Sequence, residues 1–212
     1  MNLQNYVWIF KEALTPRFCD EVVKYGESLQ DRVAVTYGEK ERDEKKLTAR
    51  QLKNLQKTRN SNVVFINEKW IYKEICPYVE EANRRAGWNF YIDHFEAPQF
   101  TKYKLNQHYT WHRDANPKPY DSSHGKNSEN KIRKLSMTAQ LSDSFDYEGG
   151  DFWMDFVNNE GGEKRSNKIK FEKERQKGTL IVFPSFMWHK VSPVTKGSRY
   201  SLVMWSLGKP YV

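Results

Sequence analysis

Residues 109–117 read Tyr-Thr-Trp-His-Arg-Asp-Ala-Asn-Pro and set an imidazole and a carboxylate two positions apart. That spelling serves two chemistries. A His-Arg-Asp loop can use its carboxylate to take a proton from a substrate hydroxyl during phosphoryl transfer. A His-any-Asp pair on a strand can put both side chains on one face, where they hold a metal. The phosphoryl-transfer reading requires a Gly-rich phosphate loop upstream, Asn five residues after the Asp, and then Asp-Phe-Gly. No Gly-rich loop precedes Asp114, position 119 is Pro119, and the later triplet is Gly150-Asp151-Phe152. That reading is rejected.

Two imidazoles and one carboxylate suit iron, occupying one face and leaving three positions open. If Tyr109–Asp114 ends a strand, alternation puts His112 and Asp114 on one side and Arg113 on the other. The missing ligand must come from the other histidines: His94, His108, His124 or His189. His124 sits in a polar loop, and His94 and His108 read as solvated or packed rings. His189 closes Gly-Thr-Leu-Ile-Val-Phe-Pro-Ser-Phe-Met-Trp-His, where one strand ends at Pro184 and another begins. A turn between strands can project a ligand into a barrel mouth. Ten residues on, Arg199 opens a strand on which Arg199, Ser201, Val203 and Trp205 share a face. An inward guanidinium is costly unless it meets an anion, and its planar fork matches a carboxylate.

The elements that must carry these residues divide the chain at about Trp88. Before it, Thr15 and Pro16 open a helix with Phe18, Val22, Tyr25 and Leu29 at helical spacing. A second helix is expected over about 67–85, kinked or restarted at Pro77. Residues 30–62 read as a charged connection with some helix. After Trp88, short β-branched and aromatic runs alternate with Gly, Pro, Asn and Asp, which predicts a sandwich, barrel or jelly roll. The expected organisation is one domain over 1–212, with a helical support at 1–87 and a β core at 88–212.

Composition narrows the classes further. The chain has 212 residues with 15% aromatics, including seven Trp, which suits a packed globular domain. No apolar run approaches the ~20 residues of a membrane span, and the N-terminus does not read as a signal peptide. Cys19 and Cys76 read as reduced, buried thiols of a cytoplasmic protein, with a structural pair as the alternative. The net charge of +8 is concentrated in 39–59 and 163–177, where acidic residues are interleaved. Such runs are solvated faces or sites for an acidic partner such as nucleic acid. Neither has the interleaved aromatics of a stacking platform.

The segments Tyr103–Asp114, Leu141–Met154 with its Gly149-Gly150 pair, and Gly178–Trp205 resemble the Fe(II)- and 2-oxoglutarate-dependent dioxygenases, in their prolyl 4-hydroxylase-like branch. The resemblance implies a mainly β, cupin-like double-stranded β-helix (a jelly roll) supported by N-terminal helices. It implies that His112, Asp114 and His189 bind iron and that Arg199 pairs with the distal carboxylate of 2-oxoglutarate. Ser201, Tyr103 and Gln140 would join Arg199, while Trp205, Tyr109 and Arg113 would lie on the substrate side. Collagen-type members carry Lys where this chain has Arg199, so the likeness is nearer to oxygen-sensing and bacterial members. The implied reaction is hydroxylation of a C–H of a peptidyl residue, prolyl foremost, with release of succinate and CO2. Fe(II), 2-oxoglutarate and dioxygen are implied, with ascorbate in support. The alternatives are the same chemistry on a nucleic-acid base or small molecule, and a non-catalytic β-helix that binds a partner. Expected partners are a protein or peptide substrate, and nucleic acid on account of the basic charge; no membrane is expected, and the chain is read as a monomer or homodimer. Residues 115–134 are expected to form a long polar loop with almost nothing apolar to bury.

Overall fold

A computed structural model describes residues 6–30, 32–33, 48–156 and 167–211. The first helix, α1 (Pro16–Ser28), begins as its sequence predicts: Thr15 accepts a hydrogen bond from the Phe18 N–H at 3.2 Å, and Pro16 fills the first helical position. It buries Phe18, Cys19, Val22 and Gly26. At Gly26 a Cβ would lie 2.6 Å from the Phe100 ring, so only glycine lets this helix approach the sheet so closely. α2 (Ala49–Thr58) opens on a reciprocal capping box between Thr48 and Gln51. α3 (Lys69–Arg85) continues through Pro77 as one helix. Pro77 and Lys73, whose carbonyl loses its partner there, both face solvent, so water can satisfy the freed group.

Fifteen strands accompany the helices among the described residues. They are β1 (Trp8–Phe10), β2 (Arg32–Val33), β3 (Arg59–Asn60), β4 (Asn62–Phe65), β5 (His94–Phe95), β6 (Gln99–Tyr103), β7 (His108–His112), β8 (Ile132–Gln140), β9 (Tyr147–Gly149), β10 (Phe152–Asp155), β11 (Lys168–Lys170), β12 (Leu180–Pro184), β13 (Trp188–Val191), β14 (Val194–Gly197) and β15 (Arg199–Gly208). The larger sheet runs β1-β12-β8-β15-β6-β4-β2, with β5 also on β15. The smaller runs β11-β10-β13-β7-β3, and β14 pairs β9. The sheet pairings are antiparallel, and the two sheets form a double-stranded β-helix.

Alternation along β12 explains why Leu-Ile-Val-Phe-Pro is a continuous apolar run. Leu180 and Val182 pack with Leu202, Met204, Met137 and the helices, while Ile181 and Phe183 pack inside the β-helix with Tyr103, Phe152 and Met154. Both faces of this strand are buried, so the pattern carries no polar half. The helices thus back the larger sheet, and the other face of that sheet is free to build a site.

The N-terminal part departs from the expected helical support. Besides three helices, residues 1–87 supply β1 to the edge strand β12, β4 to β6, and β3 to β7. These strands have two to four residues each, too short for their periodicity to register, and they exist because a longer strand offers an edge. Much of the charged connection expected over 30–62, at 31 and 34–47, lies outside the described residues; the remainder includes α2, β3 and β4. Cys19 is buried, Cys76 half-buried, and both thiols are free. No helix among the described residues is long and apolar enough to cross a membrane.

Candidate metal centre

His112 ends β7 and His189 lies on β13, directly across the ladder from it. The chain leaves β7 with its direction fixed, because the Asp114 and Ala115 N–H groups both donate to the Ser185 carbonyl at 2.9 Å. The turn that follows Pro184 therefore holds the carboxylate beside both rings. Asp114 Oδ1 is 3.7 Å from His112 Nε2, and Oδ2 is 3.4 Å from His189 Nε2. One ligand atom from each of the three residues lies within 4.8 Å of the others. Among the described residues this is the one such group of His, Cys, Asp and Glu.

Each imidazole is oriented by its other nitrogen. Nδ1 of His112 faces the Thr110 carbonyl at 2.8 Å, and Nδ1 of His189 faces the Met187 carbonyl at 2.9 Å. A carbonyl only accepts, so both Nδ1 atoms carry the proton and both Nε2 lone pairs turn toward Asp114. This is the tautomer a metal ligand needs. Burial, then the neighbouring His189, pushes the His112 pKa well below its ordinary value, which keeps the ring neutral. Burial by itself would raise the Asp114 pKa, but His189, His112 and Arg133 outweigh it and hold the carboxyl well below its usual range. The Trp205 indole N–H adds to this, pointing toward the carboxylate without closing a hydrogen bond.

Two hydroxyls escaped the sequence reading. Ser136 on β8 donates to Asp114 Oδ2 at 2.7 Å and meets Ser185 Oγ at 2.9 Å. The signal at Ser136 was a polar residue inside an apolar strand run, and at Ser185 a polar residue in the turn after β12; periodicity alone assigns neither a partner.

Arg199 lies deeper and is 1% exposed. Its Nη2 donates to Gln140 Oε1 at 3.0 Å and Nη1 to Ser201 Oγ at 3.4 Å, with the guanidinium 5.5 Å from the Tyr103 ring centre. Its Nε is buried without a partner, and no carboxylate lies within ion-pair distance of it among the described residues. The expected cluster of Arg199, Ser201, Gln140 and Tyr103 is therefore brought together, while the guanidinium still lacks a counter-ion. An isolated buried charge is expensive, and a carboxylate-bearing ligand is the chemistry that relieves it.

Gly149 lies against the Pro193 carbonyl and Thr195, and Gly150 against Val194 and Arg199. Both have positive φ, and a Cβ on Gly150 would sit 3.1 Å from Arg199 Cδ. Gly150→Ala is expected to cost about 1–2 kcal/mol from the left-handed backbone alone, read as a lower denaturation midpoint. Because the new methyl presses on Arg199, the variant is also expected to bind the dicarboxylate that the resemblance implies several-fold more weakly, as measured by calorimetric titration.

The remaining expected residues divide between pocket and surface. Tyr109 stacks on His112 with ring centres 3.4 Å apart, and burial pushes its phenol up to about 12. Trp205 carries the Arg133 guanidinium 3.8 Å from its ring, and Arg133 is held in turn by Glu96. Arg113, expected on the substrate side, is exposed and lies 5.0 Å from the Trp188 ring on the outer face of the smaller sheet. Strand alternation separates it from its two neighbours. His108 bonds backbone carbonyls and His124 pairs with Asp121. The polar loop is shorter than expected, because Ile132–Lys134 already belong to β8. It also buries one apolar residue, Tyr120, whose N–H donates to the Lys131 carbonyl while its own carbonyl accepts from Asn130.

With the geometry established, comparison with known proteins places it. Residues 98–207 match the profile of the 2OG-Fe(II) oxygenase superfamily. A PKHD-type hydroxylase of Alteromonas mediterranea is 34% identical over 109 residues, which are 51% of this chain and 42% of the relative. The match thus spans less than half the length of such relatives. Among solved structures, a prolyl-4-hydroxylase of Pseudomonas putida superposes with a TM-score of 0.64 at 16% identity, covering 94% of this chain and 91% of the other. A prolyl hydroxylase of Trichoplax adhaerens, solved with a hypoxia inducible factor peptide fragment, gives 0.64 at 18% identity, covering 95% and 83%. These structures share the fold; the profile match, over half of the chain and including both histidines, the aspartate and the arginine, means that the chain belongs to the 2OG-Fe(II) oxygenase superfamily.

Proposed function

We propose that this protein is an Fe(II)- and 2-oxoglutarate-dependent dioxygenase that hydroxylates a peptidyl residue, prolyl foremost. The observation that carries the reading is the pairing of a three-ligand cluster with a buried arginine that has no counter-ion among the described residues. In this reading His112, Asp114 and His189 hold the iron, and Arg199, Ser201, Gln140 and Tyr103 receive the cosubstrate's distal carboxylate. Residues 1–212 act as one unit in it, since helix and sheet residues share one core. The PKHD-type relatives and the shared fold of two prolyl hydroxylases, one of them peptide-bound, support a peptide substrate.

Iron with 2-oxoglutarate supplies oxidative decarboxylation coupled to C–H hydroxylation when both are bound. The chain's own part is positional. Carbonyl bonds at Nδ1 keep both imidazoles presenting Nε2, and Ser136 fixes one carboxylate oxygen so that the other stays available. Arg199 orients a dicarboxylate by its far end and so sets where its near end lies. Tyr109 and Trp205 wall the site with rings and keep water out.

The test is succinate release with purified protein, Fe(II), ascorbate and 2-oxoglutarate over a peptide panel. Proline-containing peptides are expected to raise succinate release above the uncoupled rate, and their products to gain one oxygen by mass spectrometry. Matched peptides with alanine for proline are expected to do neither. Equal turnover with both sets would reject the prolyl assignment.

A further inference from the structure

The solvent face of the smaller sheet carries a pattern that the proposed chemistry does not use. Phe152, Met154 and Val191 pack inward beside His189, so alternation sends Trp153, Trp188 and Lys190 outward. Cross-strand register lines up Lys170, Trp153 and Lys190 in one row, and Lys168, Asp155 and Trp188 in the next. Trp111 joins them from β7. Lys190 Nζ is 4.9 Å from the Trp111 ring centre and 5.4 Å from that of Trp153. Lys168 Nζ is 5.6 Å from Trp111, and the Arg113 guanidinium is 5.0 Å from Trp188. Three indoles and four cations, with Asp155 among them, therefore share one sheet face.

Lys102, Lys131, Arg133, Arg175 and Lys196 each pair with a carboxylate. Among the described residues, Lys168, Lys190 and Arg113 have none within ion-pair distance. At the edge, Lys170 is neutralised by Asp151 and Glu172, and Asp155, a member of the second row, is only 2% exposed. The indoles are half-buried, with the N–H groups of Trp111 and Trp188 turned in, so what they offer at the surface is ring carbon.

We propose that this face binds single-stranded nucleic acid. Bases stack on indole rings whatever their identity, and a backbone threaded between them passes cations at each step. The net charge of +8 favours the encounter. A lipid surface fits less well, because membrane insertion needs protruding apolar side chains rather than half-buried rings set among cations. The inference is independent of the metal-centre reading, and its test needs no iron or 2-oxoglutarate.

The experiment is fluorescence anisotropy of a labelled oligothymidylate of about 15 nucleotides with the full chain, at about 0.1 M salt and at higher salt. Binding is expected, with a log–log salt slope near −2 for three phosphate contacts. Lys168→Glu/Lys190→Glu is expected to weaken it at least tenfold. Lys24→Glu/Lys69→Glu, on exposed positions of the helical layer, changes the charge equally and should not share that loss. Trp153→Leu should weaken binding by roughly fivefold or more, while Trp153→Phe, which keeps a ring, retains most of it. The proposal is overturned by absent binding, by equal losses in the two charge variants, or by equal losses for Leu and Phe at preserved melting temperature. Capture by phosphatidylglycerol vesicles with no oligonucleotide binding would overturn it as well.

Discussion

Arg199→Ala is expected to lower the affinity for 2-oxoglutarate by well over tenfold while divalent-metal affinity stays near that of the parent. The guanidinium is 1% exposed, its Nε has no partner, and its other bonds go to two neutral groups, Gln140 and Ser201. Among the described residues it has no charge partner, so a bound carboxylate would supply one. Removing one member of a buried, hydrogen-bonded charge pair costs roughly 2–5 kcal/mol, and the lower bound already corresponds to about thirtyfold. Arg199→Lys sharpens the test, since it keeps the charge but loses the two-point fork and should fall between parent and Ala. Calorimetric titration of 2-oxoglutarate into the Mn(II)-loaded protein measures all three. Unchanged cosubstrate affinity together with a lowered melting temperature would make Arg199 a packing residue.

The sequence made this arginine legible because it breaks a rule. In Arg-Tyr-Ser-Leu-Val-Met-Trp-Ser-Leu, alternation forces the cation onto the same face as Ser201 and Trp205, and no nearby acid answers it. The same logic placed His112 with Asp114, and the turn after Pro184 pointed to His189. The helix starts were legible for an equally local reason, the Thr15-Pro16 cap and the spacing of the apolar residues behind it. What escaped reading depends on partners far along the chain. β3 and β4 are strands because β7 and β6 lend them edges. Ser136 and Ser185 matter because folding brings them to Asp114, 22 residues from Ser136 in the chain. Arg113 was legible by the same alternation, which sets it opposite its two neighbours; it was the resemblance that put it on the substrate side, and it meets Trp188 on the outer face. The aromatic–basic face was invisible for a related reason. Its members come from four separate strands, so no stretch of sequence shows the interleaving.

His189→Ala is expected to abolish high-affinity Fe(II) or Mn(II) binding, and turnover with it. Changing a residue that merely supports a metal ligand typically costs 10–100-fold in affinity, so removing a proposed ligand should exceed that range. The side chain is also packed, against the Phe152 and Phe183 rings at 5.7 and 4.8 Å between ring centres. Truncation to Ala therefore opens a cavity and is expected to lower stability by about 1–3 kcal/mol, whatever its effect on metal. His189→Leu separates the two effects, because it restores much of the lost volume but offers no lone pair. Metal titration by calorimetry and the denaturation midpoint are measured on both. If His189 is a ligand, the two variants lose metal alike and differ in stability, with Leu the more stable. If its role is packing, metal affinity should recover with stability in the Leu variant. Recovery of that kind would remove His189 from the proposed coordination set and leave His112 and Asp114 without a third ligand.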